Sequence, residues 1–230
     1  LFTYIGLLLL AVSCSTISVT RKSNKKGKVE SLASTSAKAY DRLITSEAIS
    51  STGLFDVHKV ADKYYFEIPD SLFNREMLVV TRFIKTPSGA GNYGGEKISE
   101  NTITFEKGPS NNIFLRIATL VSAASEDDAI SKAVNNSNIT PILEAFAIKA
   151  TNEDKQTHVI EVTDFINGEN PLLALSGDQK DAYKLTSLEK DKSYIKEINP
   201  FPVNTEIKTV KTYKAKSVTD KRKELPAAIL

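Results

Sequence analysis

Between residues 54 and 213 the sequence is cut into short runs of β-branched and aromatic residues separated by turn formers. Such residues stiffen χ1, favour extended backbone and send successive side chains to opposite faces. LFDVHKV and YYFEIP flank the short turn Ala61-Asp62-Lys63, a spacing that predicts a hairpin. Phe55 and Val57 share one face of its first strand, and Tyr64, Phe66 and Ile68 share one face of its second. Pro69 lacks an N–H and is expected to end that strand. MLVVTRFIK, 77–85, is apolar enough to predict a buried strand. NTITFEK and NIFLRIATL predict a second hairpin around GPSN, and LEAFAIKA, THVIEVT, SYIKEI and NTEIKTVKTY predict further strands.

Helical spacing is confined to two short stretches. Tyr40, Leu43, Ile44 and Glu47 form one, with Ser36 as its cap. Ser125 opens the other, where Glu126, Asp127 and Asp128 suit a positive helix N-terminus and Ala129, Ile130, Ala133 and Val134 make an apolar face. The expected fold class is α+β, predominantly antiparallel β-sheet with a few short helices.

This fold must stand without disulfides, because Cys14 is the one cysteine in the chain. Leu1 to Val12 is almost wholly apolar and no charge precedes Arg21. A dozen apolar residues fall short of the ~20 that span a bilayer, but match the apolar region of a secretory signal. Ala11, Val12 and Ser13 before Cys14 resemble a bacterial lipobox, with Ala11 where leucine is usual. The expectation is a lipoprotein signal peptide over 1–13 with its start truncated, and Cys14 as the lipid anchor. An ordinary signal peptide with an incidental cysteine is the alternative. Stable anchoring takes more than one acyl chain, each buried methylene contributing ~0.8 kcal/mol.

Residues 14–35 then read as the lipidated cysteine and a flexible basic tether. Arg21, Lys22, Lys25, Lys26, Lys28 and Lys38 face only Glu30 from Ser15 to Ala39, although the whole chain is only +2. The remainder is therefore acidic, which argues against a nucleic-acid partner. The expected location is the bacterial cell envelope, lipid-anchored, on the outer membrane and facing the periplasm.

The motifs that suggest chemistry are weak when taken alone. GAGNYG at 89–94 matches G-x-G-x-x-G, but the β-patterned GEKISENTITFEK follows it, not the helix a dinucleotide site needs. It reads as a flexible hairpin connection within the glycine-rich loop 88–95. His58 and His158 lie on predicted strands, neither with a second histidine or cysteine at metal-ligand spacing. No G-x-S-x-G elbow occurs. No catalytic, cofactor-binding or metal-binding residue is assigned within the chain.

STGLFDVHKVADKYYFEIPDSLFNREMLVVTRFIKT, 51–86, resembles the short N-terminal domain of a family of exported bacterial zinc-dependent metalloproteases. NNIFLRI, ITPILEAFAIKA, HVIEVTDFI and KDKSYIKEINPFPVNTEIK resemble the start of that family's next domain, also of unknown function. The resemblance implies a small helix-plus-β domain over 36–86 and a β-rich domain over 87–230, incomplete at its C-terminus. It also implies a catalytic domain further along, where His-Glu-x-x-His binds zinc and its glutamate acts as general base. That signature does not occur in these 230 residues, so no catalytic role transfers to any position here. The implied cofactor is zinc, in the missing domain and not in this fragment. The implied partners are the membrane through Cys14, the chain's own C-terminal catalytic domain and a peptide or protein substrate. A free-standing lipoprotein binding or scaffold module of the envelope remains the alternative, and an enzyme complete within these residues a third.

Overall fold

The computed structural model describes residues 38–87, 91–118, 139–216 and 228–229. Cys14, the leader, the tether, Ser36 and the helix expected from Ser125 lie outside the described residues. So does part of the glycine-rich loop.

The described residues are mostly antiparallel β-sheet with three short helices, the α+β class expected. A helix over 38–43, α1, comes first. β1 (Ile49–Ser51), β2 (Asp56–Val60), β3 (Lys63–Pro69) and β4 (Met77–Arg82) follow. The two long hairpin strands are β5 (Lys97–Lys107) and β6 (Asn112–Ala118), and then come β7 (Ile142–Asn152) and β8 (Thr157–Glu161). These eight make one sheet in the order β1-β2-β3-β8-β7-β6-β5-β4, with every neighbouring pair antiparallel. Residues 36–86 supply the strands at both ends of that order, and the four strands between them come from further along the chain.

β7 joins the two halves of the sheet. Its residues to Ala147 pair with β6, those from Ile148 pair with β8, and a register shift lies between Ile148 and Ala150. After the sheet come α2 (Thr163–Asn167), α3 (Gly177–Ala182), β9 (Leu185–Leu188), β10 (Tyr194–Pro200), β11 (Thr205–Lys211), β12 (Tyr213–Ala215) and β13 (Ala228–Ile229). β10, β11 and β13 form a three-stranded sheet, and β9 pairs with β12.

The main core lies on one face of the large sheet. Phe55, Val57, Phe66 and Ile68 meet Ile113 and Leu115 there, with Ile166 of α2 and Ile198 of β10 closing over them. The opposite face is covered by α1, whose Tyr40 and Leu43, together with Ile44 just beyond it, pack on Tyr65, Ala150 and Val159. β3 is therefore buried on both sides, which explains its unbroken YYFEIP run. β3 ends at Pro69 as expected.

MLVVTRFIK is not the buried strand expected. β4 ends the sheet order, and Leu78 and Val80 are 65% and 41% exposed while Thr81 is buried. Among the described residues only one of its faces has a partner layer, so β propensity alone misjudged its depth. The connection from β4 to β5 carries the glycine-rich loop, as a hairpin connection. Gly91 and Gly95 hold φ at 84° and 94° there, the left-handed region that glycine tolerates.

Candidate functional site

Among the described residues, two histidine clusters and a cleft gather side chains that could do chemistry. His58 of β2 is 3% exposed and Glu67 of β3 is 1% exposed. Strand alternation points both toward α1, away from Phe66 and Ile68. His58 Nε2 lies 2.8 Å from Glu67 Oε2, and the Tyr40 hydroxyl donates to the same oxygen at 2.7 Å. Thr157 donates to Oε1. Burial by itself would raise the Glu67 carboxyl, but the hydrogen bonds from His58, Thr157 and Tyr40 outweigh it and hold its pKa at about 2. An ionised carboxylate only accepts, so Nε2 of His58 carries a proton. In the neutral ring Nδ1 is then the acceptor, and the Ser50 hydroxyl, 2.7 Å away on β1, donates to it.

Hydroxyl, imidazole and carboxylate in series is the order of a nucleophilic relay. Here the other members of the network, Tyr40 and Thr157, fasten α1 and β8 to Glu67. The relay order thus coincides with a structural clamp. The sequence holds His58 and Glu67 in plain view, nine residues apart on adjoining strands. Tyr40 and Thr157, however, join them only through tertiary structure.

His158 of β8 faces the other way, toward the main core. Its Nε2 lies 2.9 Å from Asp70 Oδ1, its Nδ1 lies 3.2 Å from Thr151 Oγ1, and its ring packs against Phe73. Burial lowers its pKa and the Lys107 ammonium adds to that, while Asp70 opposes both. The two histidines thus sit on opposite faces of the sheet, each already bonded. Among the described residues no group of three His, Cys, Asp or Glu side chains could hold a metal ion. The residues described here do not fit a zinc centre.

The cleft lies between β4 and β11 and has a volume of ≈ 810 Å³, within the roughly 300–1,000 Å³ typical of ligand pockets. Its floor is the main core, including Phe55, Phe66, Leu115 and Ile166. Its walls are the six residues of β4 and the stretch from Val203 to Thr209. Thr81 Oγ1 and Ser99 Oγ both donate to the Leu172 carbonyl at 2.7 and 2.8 Å, which fixes the segment after α2 beneath the β4 wall. Sequence reasoning missed this cleft, because it separated β4 and β11 by more than a hundred residues and gave no signal that they adjoin.

Nearby, Lys211 is wholly buried and donates from Nζ to the Ile166 and Gly168 carbonyls at 2.8 and 2.6 Å, satisfying the C-terminal end of α2. Burial lowers its pKa to about 8, against a smaller opposing pull from Glu169.

A family described as a domain of unknown function (DUF5117) matches residues 95–228, and another domain of unknown function (DUF5118) matches residues 37–86. No curated protein and no solved structure matches the chain.

Proposed function

The chain belongs to the family of the domain of unknown function DUF5117, and we propose that it is the membrane-anchored, non-catalytic N-terminal region of a zinc-dependent metalloprotease. The catalytic His-Glu-x-x-His helix, with its zinc, would lie in a further domain of the same polypeptide. Cys14 would carry the lipid and hold the protein to the bacterial envelope, facing the periplasm. The region described here would tether and scaffold that domain and contribute a surface along which a polypeptide substrate is presented.

The ordered resemblance of segments across 51–86 and beyond carries this reading. The lipobox-like run before Cys14 supports its anchoring, and the open cleft between β4 and β11, floored by apolar side chains, supports its substrate-presenting surface. The test is the downstream reading frame of the gene: His-Glu-x-x-His in it supports the proposal, and an open frame without that motif sinks it. Anchoring has its own test. The protein made with its full leader should incorporate labelled fatty acid, and the Cys14→Ser variant should not. Equal labelling of the two removes Cys14 as the anchor.

A further inference from the structure

Every residue from Met77 to Arg82 lines the cleft, and so does every residue from Val203 to Thr209. A strand that shows its face to a cavity contributes alternate residues, whereas one that shows its edge contributes consecutive ones. Both walls are therefore strand edges. The sheet order agrees: β4 is terminal, and β11 is paired by β10 on one side but by β13 only at Val210 and Lys211 on the other. Among the described residues, main-chain N–H and C=O groups of Thr205–Thr209 and of β4 are thus left facing the same space, a row of donors and acceptors that templates a further strand.

We infer that this cleft binds an uncharged, extended polypeptide strand, which adds to the free edge of β4 opposite the free edge of β11. An extended main chain has donors and acceptors on both of its sides, so it pairs with the edge of β4 and still presents polar groups toward β11. β4 has six residues, and at about 3.4 Å each they offer a wall roughly 20 Å long. Alternate side chains of the guest would turn onto the apolar floor.

Charge decides against other classes of guest. Arg75 and Arg82 in the lining are offset by Glu76 and Glu206, and Lys208 is already 2.6 Å from Glu197. A lining without net charge does not select a nucleic acid or an anionic headgroup. The inference rests on the peptidase reading only for the source of the strand, an unfolded stretch of substrate protein.

The test uses the 230-residue chain and a fluorescein-labelled, end-capped eight-residue peptide of alternating valine and serine. Fluorescence anisotropy should show saturable binding at micromolar concentrations. The same peptide with alternate amides N-methylated should bind at least about tenfold more weakly, because it keeps the side chains and loses the donors of one edge. Absence of saturable binding at millimolar peptide overturns the inference, as does equal binding of the N-methylated peptide. Dimerisation of the chain that the peptide reverses also overturns it, since the occupant is then a second copy. Failure here leaves the peptidase reading standing, and a gene lacking the zinc signature leaves peptide binding standing.

Discussion

At Glu67 a charged carboxylate is held with 1% of its surface exposed, and three donors make that tolerable. Its folded pKa, about 2, lies below the ordinary 4.5. The stabilisation is therefore complete above pH 4.5 and is lost as pH falls through about 2, on the order of 3 kcal/mol in all. Acid titration of the melting temperature should show this slope in the native protein and its loss in Glu67→Gln, which should also melt lower at pH 7. Lys211 adds a slope of the same sign at higher pH. Its folded pKa, about 8, lies below the ordinary 10.5, so the folded state releases its proton first and stability rises from pH 8 upward. Above pH 10 that gain meets a loss, since Tyr40 and Tyr213 are raised to about 12 by burial and their unfolded forms ionise earlier. Chemical denaturation between pH 8 and 10 should show the rise in the native protein and not in Lys211→Met. Gly53 is constrained by space, not by conformation. A Cβ there would lie 2.6 Å from Pro200 Cβ and 2.7 Å from Phe201 N, where Leu54 N–H also bonds the Phe201 carbonyl. Gly53→Ala should cost roughly 1–3 kcal/mol, measured by urea denaturation.

Among the elements, β3 and β4 show how far pattern reading reaches. Both were readable as strands, from β-branched and aromatic content and from Pro69. Their depth was not, because burial depends on which layers pack on each face. α1 over Tyr65 and Val159 buries the second face of β3, and among the described residues no layer does this for β4. Leu78→Lys should therefore shift stability by no more than about 0.5 kcal/mol, whereas the same change at Ile68, wholly buried in the core, should prevent folding. α3 was not anticipated at all, being only six residues long. Its signal was local nonetheless: Ser176 accepts from the Gln179 N–H and the Gln179 side chain accepts from the Ser176 N–H, a complete capping box. Ser176→Ala should cost ~1 kcal/mol in thermal unfolding.

In the whole molecule, the large sheet ignores the boundary near residue 86 that the two matched families share. β3 pairs with β8 and β4 pairs with β5, so residues 37–86 lie against strands from further along the chain at both ends of the sheet. The main core likewise mixes Phe55 and Phe66 with Ile113 and Leu115. Unfolding of the described region should therefore be a single cooperative transition. A 37–86 fragment should show no sheet signal by circular dichroism, and adding it to a 91–230 fragment should restore one.

By itself the sequence determined the strand-rich class, the hairpins around Ala61 and GPSN, the stop at Pro69 and the absence of any disulfide, because turn chemistry, χ1 stiffness and thiol count act locally. It also placed Glu67 and both histidines on their strands. Only the tertiary structure decided that Tyr40 and Thr157 would complete the Glu67 network, that β4 would stand at an edge, and that its edge would face β11. Those outcomes depend on pairings between residues that are distant along the chain, and hydrogen bonds between strand edges are made by a backbone that every residue shares.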